Sequence, residues 1–335
     1  MALAPLPTSR HAPLDFAEGQ ARNRRVSAVI VIGFAALFFL VGLAVDFLYL
    51  GAFTGGGADF PWATVLALGT AATISLSAYY RGGEWILRSL GAEPLDLELP
   101  EHRELRNIVT EMALASGCPM PKVCVIFDPA PNALASGRSP DAAALCVTTG
   151  LLQLLNREET QGVVAHELAH IRNQDVLLMT MVSILLGGVA LLSDWAQRSI
   201  YYRPRMRVRL SGKHLFLLIP AALAIIFAPL VSRLLAMAVS RQREYLADAT
   251  AAELTRNPLG LAKGLEKIRQ AAIPFHAASR GTAHLFFVNP LRRPINEHEG
   301  AWADLLSTHP PIARRILLLY QMAGVRPQQT QVEGL

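Results

Sequence analysis

Charged residues and cysteines are both scarce in this 335-residue chain. Lys, Arg, Asp and Glu together make up 17% of the sequence, and three cysteines are present. Cys118, Cys124 and Cys146 form no Cys-x-x-Cys pair, and an odd number cannot pair completely within one chain. The pattern argues against a disulfide-stabilised secreted scaffold. We interpret the cysteines as small apolar residues or free thiols in a reducing compartment.

The sequence also lacks internal repeats, a Gly-rich phosphate loop and any nucleic-acid-binding module. What it has in quantity is hydrophobic residues, at 52%, together with a net charge of +5. Arginine clusters lie beside the apolar runs, so the basic charge indicates contact with a lipid bilayer and no nucleic-acid partner.

Two long apolar runs predict membrane-spanning helices, over residues 26–50 and 60–80. Residues 26–45 carry no charge, and a helix of that length extends about 30 Å, the thickness of the hydrocarbon core. The second run carries Trp62, Tyr79 and Tyr80 where an interfacial aromatic belt lies. Because a second span follows so soon, we interpret the first as a retained anchor and not as a cleaved signal peptide.

The distribution of basic residues predicts the orientation in the membrane. The stretch between Val45 and Phe60 has Asp46 and Asp59 and no basic residue. Four arginines precede the first span: Arg10, Arg22, Arg24 and Arg25. By the positive-inside rule, the tail of residues 1–25 and the chain after Arg81 face the cytoplasm, which predicts a multi-pass protein of the inner (cytoplasmic) membrane.

Two more apolar runs, residues 176–193 and 215–231, predict a helical hairpin over residues 176–232. The connection between them is strongly basic, which the positive-inside rule disfavours on the outer side. Two interpretations stay open: a hairpin that dips into the membrane with its basic tip at anionic headgroups, or a full crossing. In both, the two flanks of the hairpin lie on the same side.

The segment VVAHELAHIRNQD, residues 163–175, has the pattern of a zinc-peptidase helix. His166 and His170 are four positions apart, so they share one helix face and can bind the same ion. The carboxylate between them, on Glu167, is placed to act as a general base. Asn156 and Glu159 predict an N-cap with a capping box at the start of this helix.

A catalytic zinc ion usually takes three protein ligands, and HELAH supplies two. The third must come from elsewhere in the chain. Downstream, SRQREYLADAT, residues 240–250, places Glu244 and Asp248 four positions apart on a predicted helix.

HELAHIRNQD combined with SRQREYLAD resembles the HtpX family of integral-membrane zinc proteases, gluzincins related to the CaaX prenyl proteases. The resemblance implies that Glu244 is the third ligand of one Zn²⁺ ion per chain, and that Asp248 supports a ligand histidine. It also implies an endopeptidase that cleaves polypeptides, in quality control of misfolded membrane proteins. It extends from about the first span to the C-terminal helix.

PNALASG, residues 131–137, resembles an element of that family which implies an edge strand along the cleft. Neighbouring β-rich runs at residues 123–127 and 145–149 predict a small sheet. An edge strand can pair with an extended peptide, which makes four residues candidates for substrate binding: Asn132, Ala133, Leu134 and Ala135. From the residues alone, the segment could equally be a hairpin loop.

STHPPIARRI, residues 307–316, resembles a motif near the family's C-terminus. The resemblance implies that His309 and Arg315 face the scissile carbonyl, where an oxyanion needs donors. The alternative is that Pro310 and Pro311 start an ordinary amphipathic helix whose arginines are solvated charges.

Together these features predict a mostly α protein with a small β-sheet (α+β). The predicted gluzincin-like zinc metalloprotease domain has two parts, residues 81–175 and 233–324, followed by a tail of residues 325–335. Two other functions stay open. A CaaX-type processing protease would need a larger intramembrane chamber, and a non-catalytic membrane scaffold holding structural zinc would usually lack a base such as Glu167.

Overall fold

The structure is a computed structural model that describes residues 16–50, 59–185, 187–188, 241–271, 273, 282, 285–288 and 310–325. The described part is mostly helical with one small mixed sheet, which confirms that part of the predicted fold class. Residues 1–15, most of the predicted hairpin and the candidate site residue His309 lie outside the described residues.

Two long helices correspond to the predicted membrane spans. α1 (Phe16–Val45) and α2 (Trp62–Ser89) are long and apolar enough to cross a membrane, with mean hydropathies of 2.9 and 1.3 over their candidate spans. α1 begins before the apolar run at Val26, and α2 continues beyond the run that ends at Tyr80. Hydropathy marks only the stretch suited to lipid, whereas the helices continue into charged sequence at those ends.

A buried aspartate that follows α1 forms hydrogen bonds with the start of α2. The carboxylate of Asp46 accepts hydrogen bonds from Ala63 N at 2.9 Å, Thr64 N at 2.7 Å and Thr64 Oγ1 at 2.6 Å. These backbone donors belong to the first turn of α2, where helical N–H groups lack intrahelical partners. Asp46 therefore caps α2 from the end of α1 and fixes the two helices against each other.

Four strands form the sheet, in the order β1-β2-β4-β3. They are β1 (Ala92–Pro94), β2 (Lys122–Ile126), β3 (Ala133–Gly137) and β4 (Ala143–Thr148). β2 and β4 are parallel, whereas β1 and β3 pair antiparallel with their neighbours. β3 lies at one edge of the sheet formed by the described strands. The PNALASG segment therefore contains an edge strand, and its interpretation as only a loop is wrong.

The helix that carries HELAH is α5 (Arg157–Arg172). The other described α-helices after α2 are α3 (Pro100–Ser116), α4 (Thr149–Leu154), α6 (Asp175–Leu185), α7 (Arg241–Thr255), α8 (Pro258–Ala271) and α9 (Ile312–Met322). α5 packs against α3, α7, α8 and β3. Its approach to α8 is close, because a Cβ on Gly162 would lie 2.8 Å from Leu261 N. Every residue from Val163 to Ile171 is consequently buried.

α6 is the first part of the predicted hairpin. Its Met181 and Leu185 pack with Phe34 of α1, and a Cβ on Gly82 of α2 would lie 2.7 Å from Ile184 Cδ1. α6 therefore contacts both candidate membrane helices. Residues 189–232 of the hairpin lie outside the described residues.

Candidate metal centre

The capping predicted for α5 is present. Asn156 Oδ1 accepts a hydrogen bond from Glu159 N at 3.0 Å, and Glu159 Oε2 accepts one from Asn156 N at 2.9 Å. This reciprocal pair fixes the first turn, so the following residues enter the core in helical register. His166, Glu167 and His170 are 1%, 2% and 4% exposed.

The three predicted metal ligands converge in the structure. Nε2 of His166 lies 3.2 Å from Nε2 of His170, and the Glu244 carboxylate lies 3.9 Å and 3.5 Å from the same two nitrogens. One ligand atom from each residue lies within 4.8 Å of the other two. Among the described residues, this is the group of His, Cys, Asp and Glu side chains that could hold a metal ion.

A buried aspartate orients His166. Asp248 Oδ1 lies 2.9 Å from Nδ1 of His166, so Nδ1 carries the proton and the Nε2 lone pair faces Glu244 and His170. Such a partner for the ring nitrogen remote from a metal fixes both tautomer and orientation. This is the contact that the resemblance implied for Asp248.

His170 has an equivalent partner that the sequence analysis did not identify. Asp175 Oδ2 lies 3.0 Å from Nδ1 of His170, and Asp175 is 2% exposed. Asp175 is the first residue of α6, reached through a tight turn in which Gln174 adopts a φ of 57°. The sequence did contain an indication of this partner, because Asp175 ends the RNQD run of the segment HELAHIRNQD.

The guanidinium of Arg315 lies next to the proposed ligands, and each of its nitrogens has a hydrogen-bond acceptor. Its Nε and Nη2 donate to the two carboxylate oxygens of Asp248 at 2.8 Å and 2.7 Å, and Nη1 donates to the Phe287 carbonyl at 3.1 Å. Nη1 also lies 3.6 Å from the Glu244 carboxylate. The side chain is 2% exposed. The neighbouring Arg314, by contrast, is exposed. Interpretation of both arginines as solvated charges is therefore wrong for Arg315.

The edge strand β3 borders the centre. A short segment, Leu285–Val288, lies against its outer side: Phe287 N donates to Ala133 O at 2.8 Å, and Leu134 bridges antiparallel to Phe286. The side chain of Asn132 donates to Val288 O at 2.8 Å and accepts from Val288 N at 3.1 Å. The Ala133 carbonyl on the outer side of β3 is thus already hydrogen-bonded to this segment.

A model of peptidase family M48 matches residues 100–323 of the chain. This range runs from the start of α3 to just beyond α9, and it includes the converging ligands His166, His170 and Glu244 with their carboxylate partners. The chain belongs to peptidase family M48. It is therefore a metallopeptidase, and the group of described residues that could hold a metal ion lies within the matched range.

Two similar M48 relatives both carry the name "Protease HtpX homolog". The relative from Caldanaerobacter subterraneus subsp. tengcongensis is 41% identical over 302 residues, covering 89% of this chain and 95% of the relative. The relative from Dictyoglomus thermophilum is 39% identical over 324 residues, covering 96% and 99%. The predicted resemblance to the HtpX family is confirmed. A crystal structure of S. mikatae Ste24p matches with a TM-score of 0.48 and 18% identity, over 90% of this chain and 66% of that chain.

Burial and neighbouring charges shift the acid–base properties of this M48 site. Burial raises the pKa of Glu167 to about 7, although the positive charge of His170 offsets part of the rise. Burial lowers the pKa of His166 to about 4. For His170 burial acts in the same direction, but the hydrogen bond to Asp175 and the nearby carboxylates outweigh it and raise the pKa to about 9. In the metal-free protein His170 is therefore protonated, and binding of a metal ion must displace that proton.

The donor set fits a divalent metal ion. Two imidazole nitrogens and one carboxylate face each other, each imidazole is held through its other nitrogen by an aspartate, and no bulky side chain separates them. The site lies in a small pocket whose lining also includes Ala135, Met179 and Phe287. Phe287 packs edge-on against the His166 ring, with centroids 4.9 Å apart.

Proposed function

We propose that this protein is a membrane-bound zinc endopeptidase. The observation that carries the proposal is the convergence of His166, His170 and Glu244, with Glu167 adjacent on the same buried helix. Nitrogen and carboxylate ligands in a set of three, with one position left for water or substrate, are typical of catalytic zinc. Bound there, zinc would supply a Lewis acid for the substrate carbonyl and lower the pKa of a water molecule to about 7.

Glu167 is the proposed general base. It lies next to His166 on the same buried helix, where its carboxylate would accept a proton from the attacking water and return it to the departing amine. A hydrogen bond from the Ala135 backbone to Glu167 connects the base to the edge strand. This hydrogen bond therefore fixes the position of Glu167 relative to β3, the strand proposed to bind the substrate.

An extended polypeptide is the proposed substrate, bound along Asn132, Ala133, Leu134 and Ala135. Support comes from Leu285–Val288, whose backbone already hydrogen-bonds to Ala133 O and to the Asn132 side chain on this side of β3. A substrate that adds as a strand would use main-chain groups and depend little on its own sequence. On this side of β3 it must take over the hydrogen bond that Phe287 N now makes.

His309 and Arg315 remain predicted donors to the oxyanion. The contacts of Arg315 also support a positioning role, because the guanidinium holds the same Asp248 carboxylate that orients His166. Donation to the oxyanion and positioning of Asp248 are both proposed roles of Arg315. His309 lies outside the described residues.

We propose that α1 and α2 anchor the protein in the inner membrane, with residues 1–25 and the catalytic parts 81–175 and 233–324 on the cytoplasmic side. Support comes from the apolar character of both helices and from the arginines that precede the first span. Residues 176–232 are the proposed membrane-associated hairpin, and residues 325–335 the C-terminal tail. Two relatives named as HtpX homologs support a role in quality control, with misfolded membrane proteins as substrates.

The test is Glu167→Gln in the full-length protein, purified in detergent and compared with Glu158→Gln. Glu158 lies on the same helix but is exposed. Zinc content is measured by elemental analysis, and cleavage of an unfolded casein-type substrate is followed with and without a chelator. Glu167→Gln should keep its zinc and lose cleavage by at least about 100-fold, whereas Glu158→Gln should retain both. Cleavage by Glu167→Gln at the wild-type rate, or resistance of the wild type to chelation, would refute the proposed function.

A further inference from the structure

The N-terminal end of the first candidate membrane helix contacts a residue that holds one of the proposed metal ligands. Asn23 of α1 is 7% exposed, and its Nδ2 donates to Asp175 Oδ1 at 2.5 Å. The other carboxylate oxygen of Asp175 holds Nδ1 of His170 at 3.0 Å. A continuous chain of two hydrogen-bonded side chains therefore connects α1 to a proposed zinc ligand.

The same asparagine is also bonded to the neighbouring elements. Its Nδ2 lies 3.4 Å from the carbonyl oxygen of Asn173, in the turn between α5 and α6. Its Oδ1 accepts from Arg243 Nη1 at 3.4 Å. Arg243 directly precedes Glu244 in α7, and its Nη1 lies 3.8 Å from Asp175 Oδ1. Asn23 thus joins the turn after α5, which carries two of the three proposed ligands, to α7, which carries the third.

An amide is chemically suited to this position. It donates to the Asp175 carboxylate and accepts from the Arg243 guanidinium at the same time, which neither an aspartate nor an alanine can do. Without the donor, one oxygen of a nearly fully buried carboxylate loses its closest partner. The carboxylate is then free to rotate, and the His170 ring that it orients is less well fixed.

We propose that Asn23 is a positioning residue of the metal centre, so that α1 completes the zinc site in addition to anchoring the chain. The proposal rests on the proposed function, since it requires His170 to be a zinc ligand. Asn23 lies within residues 1–25, which the sequence predicted only as a tail, and the proposal makes metal affinity depend on it. Docking of the membrane anchor and metal binding are consequently coupled.

The experiment measures the Zn²⁺ dissociation constant by chelator competition in full-length protein in detergent, at a temperature where every variant is folded. Asn23→Ala and Asn23→Asp are compared with Ser27→Ala, a matched control one turn further along α1. Ser27 is also buried, at 8% exposure, and its hydroxyl has no hydrogen-bond partner among the described residues. Asn23→Asp keeps the volume of the side chain but removes the amide donor.

Both Asn23 variants should bind Zn²⁺ about tenfold more weakly than the wild type, the lower end of what loss of a ligand's supporting partner usually costs. Ser27→Ala should bind as the wild type does. Wild-type affinity in Asn23→Asp would show that only packing matters, and equal weakening in Ser27→Ala would show a general effect of α1; either result overturns the role of Asn23.

A fourth variant separates this inference from the proposed function. His170→Ala should lose Zn²⁺ binding almost completely if His170 is a ligand. Retained binding in that variant refutes the metal site itself, and with it the role of Asn23. Lost binding in His170→Ala together with unchanged affinity in Asn23→Ala refutes only the role of Asn23.

Discussion

Arg315 offers a direct measure of how strongly the buried network holds the site together. Its guanidinium forms a two-pronged ion pair with Asp248, at 2.8 Å and 2.7 Å, and both side chains are almost completely buried. Removing one partner of a buried pair typically costs about 3–5 kcal/mol, because the remaining charge stays buried without compensation. Arg315→Leu should lower the free energy of unfolding by about that amount.

In a domain of this size, 1 kcal/mol shifts the unfolding midpoint by about 2–4 °C, so the expected decrease in Tm is about 6–20 °C. Arg314→Leu is the matched control, since Arg314 lies on the same helix and is exposed. Its effect should stay within about 0.5 kcal/mol, or about 2 °C. Arg315→Lys should fall between the two, because lysine keeps the charge but loses the planar fork.

The assay is thermal unfolding of the full-length protein in detergent, with chelator present in every sample so that differences in metal content do not contribute. A double variant, Asp248→Leu with Arg315→Leu, tests the physical reason. Replacing both charges by apolar groups removes the uncompensated carboxylate, so this variant should be more stable than Arg315→Leu alone. Equal midpoints for Arg315→Leu and Arg314→Leu would refute the reasoning.

Two further predictions concern the charges at the centre. In metal-free protein, burial raises the pKa of Glu167 from 4.5 to about 7, so the folded state holds this proton more tightly than the unfolded state and loses stability as the pH rises between those values. The stability of Glu167→Gln relative to the wild type should therefore increase from pH 4.5 to 7 and stay constant above pH 7. Thermal unfolding across this pH range measures the stability difference between the two proteins. A stability difference that does not change with pH would contradict the raised pKa. Asp248→Asn should weaken Zn²⁺ binding about 10–100-fold in chelator competition, because the amide loses the charge that holds His166 and Arg315, and wild-type affinity would contradict the role of Asp248.

Local sequence signals predicted the parts of the site that depend on neighbouring residues. The Asn156–Glu159 capping pair and the four-residue spacing of His166 and His170 are properties of one helix, and each occurs in α5 as expected. Glu244 lies far along the chain from both histidines. No spacing rule connects it to them, so resemblance to a known family was needed to pair them.

Asp175 and Asn23 were missed for two different physical reasons. Asp175 is five positions after His170, where a continuous helix would not bring it to the ring, but the turn at Gln174 ends the helix first. Asn23 precedes the apolar run, so hydropathy assigned it to a tail although α1 already includes it. Both contacts depend on where a helix begins or ends, which periodicity determines least well.

For Arg315 a usable signal was present. In α9 the buried residues Ile316, Leu319 and Tyr320 define the face toward the core, and Arg315 is four positions before Leu319 and so shares it. Arg314 lies about 100° away on the exposed side. Periodicity could therefore have distinguished the two arginines, and a buried arginine requires a buried acid such as Asp248.

The position of α5 explains why so many charged side chains are held inside this protein. The whole segment that carries HELAH is buried, so each polar group on it must be hydrogen-bonded or its burial costs several kcal/mol. The partners come from different elements: Asp248 from α7, Asp175 from α6, Arg315 from α9 and Asn23 from α1. If these side chains only filled space in the core, apolar residues of similar volume would stabilise the fold as well. A network assembled from four separate helices around two imidazoles is explained by the requirement to hold those rings in one orientation toward a shared ion.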